Sequence, residues 1–438
     1  MAVLEYPVLL FAQIILIIVS LYWLIRRNDV VPLLVSSFLF YVASYRYWSV
    51  TSDLGRWVNV TAFLSDNPEV DGLNALACII FGQICLLSTY WYCQKQAISV
   101  SKAGNDNSLL TWLRPKVLFL GLLCFPLVIA TRSGILAQIN SGKSAAFEIS
   151  GYLYLFPMVL IGIAVLTITL WKFGGLPSTL HKLLATVILI GVFYLTFSPA
   201  SRFQFIGWIV ASAIILSSSF KPQKRLWVFS IAAVVGLGLF AFAGAMRNVA
   251  LSEVSLEQAA IARAMSAEDG NMLDGFVIVR SLFPKHLDFR YGMEHLEILM
   301  RPIPRSLWAG KPVGGSYMEY LGLSDASTGM TVGFSPTLFG SFYIDGGIFG
   351  IVSWSLIYGW ALAKITTYSI RLKPFAGVIV RAVVCACLIP LLRGGDLPGI
   401  YAWVGMAFWP CFLLLWIKRR ELNKARLIPK RLLLQHYR

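Results

Sequence analysis

An all-helical bundle that crosses a membrane many times is the fold class this sequence predicts, and three observations predict it. Hydrophobic residues make up 58% of the 438, and the mean hydropathy is +0.72. Charged residues make up only 13%, about half the fraction found in soluble domains. The apolar residues gather in stretches of membrane-spanning length that recur from Pro7 to Trp416, with one interruption between Arg247 and Pro336. The pattern excludes a series of water-soluble domains, which length alone would allow.

In chain order the predicted spans are 7 to 25, 30 to 45, 73 to 93, 117 to 131, 150 to 171, 184 to 200, 203 to 220, 226 to 246, 337 to 363, 375 to 392 and 399 to 417. That makes eleven, each close to the length a tilted helix needs. The first has no basic leader and no small-residue cleavage site, and it ends in Arg26-Arg27. It is expected to be a retained helix with its N-terminus outside.

Charge supports that orientation. The formal net charge of +16 would suit nucleic acid if it were gathered on one face, but the basic residues are spread among short connections. With the N-terminus outside, the inner segments, including the tail from Lys418 to Arg438, hold 22 Lys or Arg against three acidic residues, Asp29, Asp106 and Glu421. The outer segments hold 14 basic and 18 acidic residues. Positive charge on the inner side is what membrane insertion selects. All seven cysteines (78, 85, 93, 124, 385, 387 and 411) lie in apolar segments and read as packing residues, without disulfide or zinc spacing.

The interruption, residues 247 to 336, is an outer loop too long to be a simple connector, within a single transmembrane domain spanning 1 to 438. From the cap candidates Ser252 and Ser255, residues Leu256, Ala260 and Ala264 and then Met272, Phe276, Val279 and Leu282 recur at helical spacing. They predict amphipathic helices at the membrane surface, with a third short helix from Met293 to Met300. Arg301 to Pro312 then reads RPIPRSLWAGKP, whose prolines forbid a helix. Arg301, Arg305 and Lys311 are therefore held on a stiff segment beside Trp308, an arrangement suited to a phosphate-bearing ligand or to lipid head groups.

Further cations stand at the outer ends of spans. Arg202 follows the turn Ser198-Pro199-Ala200-Ser201, and Arg393 opens Arg393-Gly394-Gly395-Asp396-Leu397-Pro398. Arginine at bilayer depth is costly and usually lines a cavity or meets a carboxylate, and Asp396 is the expected partner of Arg393. Arg381, mid-span but near Pro374, is expected to snorkel inward. Asp345, early in the ninth span, is either a proton-accepting carboxylate or the counter-ion of one of these arginines. His295, between Glu294 and Glu297, reads as a surface histidine, as does His286.

At Tyr291-Gly292, at Ile303-Pro304-Arg305 with Trp308 and Lys311-Pro312, and at Pro336, Gly340 and Tyr343 to Gly347, the sequence resembles bacterial O-antigen polymerases, the Wzy-type polysaccharide repeat-unit polymerases. Ser201-Arg202 and the Arg393 to Asp396 turn also resemble positions such enzymes use. Two positions depart from the pattern: Ser341 stands where an acid is expected, and Asp345 where an amide is commoner.

The resemblance implies a GT-C-like bundle and a metal-independent glycosyltransferase without cofactor. It would act on undecaprenyl-diphosphate-linked oligosaccharides at the outer face of the bacterial cytoplasmic membrane, with membrane lipid and a chain-length regulator protein as further partners. It also implies that Arg202, Arg301, Arg305, Lys311 and Arg393 serve the diphosphate. Trp308, Tyr343 and Asp396 would complete the binding surface, and Asp345 would take the acceptor proton. A ligase using the same donor, or a flippase for lipid-linked oligosaccharide, are the rival readings. A single large loop in one half of the chain fits a flippase of paired halves poorly.

Overall fold

The structure is a computed structural model that describes residues 5–95, 107–140, 155–196, 202–246, 255–301, 303, 307–308, 316–322, 324–325, 330–331 and 334–422. Among these the architecture is helical, apart from a two-residue antiparallel pairing of Ser324–Asp325 with Met330–Thr331. Helix α1 (Tyr6–Arg27) leads into α2 (Val31–Leu39), which passes through a π-turn at Phe40–Tyr45 into α3 (Arg46–Thr51). Short α4 (Asn59–Leu64) precedes α5 (Pro68–Lys95) and α6 (Asn107–Asn140). Next come α7 (Val159–Lys172), α8 (Thr179–Thr196), α9 (Arg202–Leu216) and α10 (Pro222–Ala245). The loop region contributes α11 (Leu256–Ser266), α12 (Met272–Leu282), α13 (Met293–Met300) and α14 (Ser316–Tyr320). The chain closes with α15 (Thr337–Ile344), α16 (Gly347–Arg371), α17 (Pro374–Arg393), α18 (Leu397–Ile417) and α19 (Arg419–Leu422).

Among the described residues eight helices, α1, α5, α6, α8, α10, α16, α17 and α18, are long and apolar enough to cross a membrane. Of the other three predicted spans, two fall on shorter apolar helices, Phe156–Lys172 and Phe205–Leu216. The one predicted at 30 to 45 is divided by the π-turn.

Local chemistry sets the ends of α1. Pro7 occupies the first turn, where no donor is lost, Arg26 and Arg27 meet the negative end of the dipole, and Asn28 adopts the left-handed cap conformation. Helix α17 is the centre of the bundle: 78% of its most apolar window is buried, against 28% for α1 and 22% for α8 and α10. Small residues let backbones meet there. A Cβ at Gly207 of α9 would stand 2.6 Å from the Ala386 carbonyl of α17, and one at Gly359 of α16 would stand 2.3 Å from the Leu86 carbonyl of α5.

Hydrogen bonds define two ends. At one, the Tyr6 hydroxyl donates to the Ser44 carbonyl (3.1 Å) and the Tyr45 hydroxyl to the Met265 carbonyl (2.9 Å), so this end carries the loop helices. At the other, Arg225 donates to the Asn28 carbonyl (3.0 Å), and the Lys418 ammonium lies 4.7 Å from the centre of the Trp112 ring.

Two expectations are corrected. Helix α12 is not a surface helix: nine of its eleven residues, Asp274 included, are buried. Its single acid makes that possible, because Asp274 receives Arg46 Nε (2.9 Å), Arg46 Nη2 (3.0 Å) and the Val58 N–H (2.9 Å), so no buried charge stands alone. The predicted ninth span is not continuous. It breaks at Asp345-Gly346, α16 starts at Gly347 with φ +63°, and a Cβ at Gly350 would stand 2.2 Å from the Phe342 carbonyl, so α15 folds against α16. Arg381 is half-buried and turned back toward the Pro374 end of α17, where its Nε donates to the Gly377 carbonyl (3.3 Å) and its charge acts on Asp29. The cysteines are free and lie in helices, but only Cys124, Cys385 and Cys411 are fully buried.

Candidate active site

The break between α15 and α16 creates the most concentrated chemistry at the loop end. Asp345 sits at the corner, 4% exposed, and its Oδ2 lies 2.8 Å from His295 Nδ1. Its Oδ1 accepts the Glu294 N–H at 3.4 Å. The imidazole stacks on the Trp354 indole of α16, with ring centres 3.4 Å apart and planes inclined by 11°. Tyr358 and Phe342 stand edge-on and tilted beside it. His295 is thus a corrected expectation: it is held between a carboxylate and an aromatic wall, not on the surface. Asp345 likewise pairs with a histidine, not with one of the predicted arginines.

One turn away lies a second charged group. Arg290 binds Glu294 (2.8 Å) and Glu297 through separate guanidinium nitrogens, and its backbone N–H donates to the Ile344 carbonyl (2.9 Å), tying the loop to the end of α15. Burial pushes the Glu294 carboxyl up to about 8, against the opposing pull of Arg290. The Oε2 atoms of Glu294 and Glu297 and Nε2 of His295 are buried and find no hydrogen-bond partner among the described residues.

The turn predicted from Arg393 to Asp396 is docked on the start of α15. Thr337 and Gly394 form a parallel bridge, and the Gly395 N–H donates to the Ser341 hydroxyl (3.1 Å). Gly394, with φ +68°, is required there, because a Cβ would fall 2.0 Å from the Thr337 carbonyl. Ser341, where the resemblance leads one to expect an acid, therefore has a packing role.

Asp396 caps α18 by accepting the Gly399 N–H (2.9 Å), and its other oxygen lies 3.8 Å from Arg301 Nη2. The carboxylate expected beside Arg393 thus meets Arg301. The Arg393 guanidinium lies 4.7 Å from the centre of the Phe203 ring, on the residue after Arg202. Tyr317, fully buried, donates to the Phe334 carbonyl (2.6 Å), and it feels the charges of Glu294, Arg393 and Asp396 together.

Of the residues singled out in the sequence, Arg301, Arg393, Asp396 and Asp345 are therefore gathered at one end. Arg202 starts α9 at the same end. Tyr343 packs edge-on against Phe276 and Phe289 and serves the core between α12 and α15. Trp308 is 38% exposed. Arg305 and Lys311 lie outside the described residues. Sequence reasoning missed His295, Trp354, Arg290, Glu294 and Glu297. The last three did leave a signal: Arg290, Glu294 and Glu297 fall at i, i+4 and i+7, the spacing of one helix face.

The described His, Cys, Asp and Glu side chains form no group of three or more suited to a metal. Fold and composition together define a multi-pass helical membrane protein. Compared with family models, with curated proteins and with solved structures, the chain matches none.

Proposed function

We propose that the chain is a membrane glycosyltransferase that joins lipid-diphosphate-linked oligosaccharide repeat units into a surface polysaccharide, acting at the outer face of the bacterial cytoplasmic membrane. In this reading eleven spans place the N-terminus and the loop outside and the basic tail inside. The two-ended bonding pattern, with Tyr6 and Tyr45 at one end and Arg225 and Lys418 at the other, supports that topology.

The observation that carries the proposal is the span of α13. It begins at the His295–Asp345 pair and leads to the Arg301–Asp396 pair. Six residues of helix separate His295 from Arg301, a rise of roughly 9 Å, the scale of a sugar joined to a diphosphate. In this reading Asp345 Oδ2 accepts from His295 Nδ1, which would leave the Nε2 lone pair to take a proton.

The acceptor hydroxyl, on entering beside His295 and uncovering its buried Nε2, would lose its proton to that nitrogen as its oxygen bonds to the anomeric carbon of the donor. The bond from that carbon to the diphosphate breaks, and the lipid diphosphate leaves with the bonding pair. Arg301 and Arg393 would stabilise the charge that develops on it, and the resemblance adds Arg202, Arg305 and Lys311 as further cations for the same diphosphate. Asp345 then acts through His295 by orienting it. The sequence reading had placed it on the hydroxyl itself.

The test is deletion of the gene followed by sizing of the surface glycan. A polymerase leaves a single repeat unit on the acceptor lipid. Long chains that never reach the acceptor would indicate a ligase, and loss of every outer repeat unit a flippase. Either result overturns the proposal.

A further inference from the structure

Helix α13 is built inside out. Its acids, Glu294 and Glu297, are buried at 0% and 3% exposure, while Leu296 and Leu299 point away from the protein at 43% and 75%. The chain beyond continues the theme: Ile303 is 39%, Leu307 80% and Trp308 38% exposed. A helix facing water places its charges outward and its leucines inward. Here Glu294 and Glu297 each meet Arg290 and His295 meets Asp345, while Leu296, Leu299 and Leu307 stand exposed.

The neighbours indicate what provides the cover. His295 stacks on Trp354 of α16, a span-length helix whose first turn exposes Ile348 at 55% and Phe349 at 79%. The apolar side of α13 therefore adjoins a span-length helix whose own apolar residues are exposed. Arg301 and Trp308 follow directly, and these residue types are at home where acyl chains give way to head groups.

We propose that α13, with Leu307 and Trp308 beyond it, is immersed in the bilayer interface at the loop end, with Leu296, Leu299 and Leu307 on acyl chains and Arg301 at head-group depth. The inverted polarity is then the expected one, because the solvent of this surface is hydrocarbon. The placement rests on the membrane fold and not on the proposed reaction. If that reaction also holds, a lipid-borne diphosphate reaches Arg301 without leaving the membrane plane.

The test uses full-length protein in vesicles of phosphatidylethanolamine and phosphatidylglycerol. With the native cysteines replaced, Leu296→Cys, Leu299→Cys and the control Glu257→Cys each carry a nitroxide. Labels at 296 and 299 should relax several-fold more with oxygen than with a water-soluble nickel chelate, and the label at 257 should show the reverse. Nickel access at 296 and 299 would show a water-facing helix, and protection from both reagents would show a protein cover. Either overturns the proposal. A second measurement leaves the cysteines in place: the emission lost on Trp308→Phe should be quenched by brominated phospholipid and not by iodide, and quenching by iodide alone would overturn it.

Discussion

Asp274→Asn is the substitution whose cost follows most directly from the structure. The carboxylate is fully buried and receives three hydrogen bonds, two from Arg46 and one from the Val58 N–H, and Arg46 itself is 1% exposed. Asparagine keeps the shape but removes the charge, leaving the guanidinium buried without a counter-ion. Breaking such a pair costs about 3–5 kcal/mol. Spread over an unfolding entropy of about 2.1 cal/mol/K per residue, that corresponds to a fall in melting temperature of roughly 4 °C.

The native cysteines supply the assay, because all seven lie in helices and a thiol-reactive dye reports them as the bundle opens. Asp274→Leu combined with Arg46→Met should recover most of the loss, because no charge is then stranded. A melting temperature for Asp274→Asn that matches the wild type would refute the claim that this pair fixes α12 inside the bundle.

Arg305→Ala and Arg393→Ala should each abolish chain extension in cells while leaving the protein at normal levels in the membrane, and polymer of normal length from both would remove the diphosphate assignment. Single cysteines at Met265 and Lys430 check topology: a membrane-impermeant maleimide should label 265 and not 430 in intact cells, and labelling of 430 would invert the orientation. Glu294, raised from its ordinary value to about 8 chiefly by burial, binds its proton more tightly in the folded state. Its contribution should be full below the ordinary carboxylate range and decline as pH rises toward about 8. Glu294→Gln should therefore match the wild type near the acid end of that window and melt at a higher temperature than the wild type at its alkaline end. Parallel pH curves for the two proteins would contradict the assignment.

Hydropathy carried the membrane class, because a lipid-facing helix must be apolar along its length, and every predicted span coincides at least in part with a helix. It carried less where polarity was inverted or interrupted. The stretch from Thr337 to Ala363 is predominantly apolar, so Asp345 with Gly346 and Gly347 was the only hint of the break that makes Asp345 a corner residue. Helix α12 looked amphipathic because Asp274 and Arg280 lie in it, yet a partner more than two hundred residues away neutralises Asp274 and permits burial. His295 sat between two acids, the signature of a wet surface. Its real environment comes from Asp345 and Trp354, which only tertiary folding brings to it. The Arg393 to Asp396 turn was legible as a site feature, and the carboxylate's partner was not. Asp396 reaches Arg301 because the turn docks on α15 through Gly394 and Ser341.

The proposed reaction is tested most directly with purified protein in liposomes supplied with lipid-diphosphate-linked repeat units and no other enzyme. A ladder of lipid-linked products should appear, one repeat unit apart, with one lipid diphosphate released per unit added, and His295→Gln should suppress it. Unextended substrate in the presence of folded wild-type protein would contradict the account.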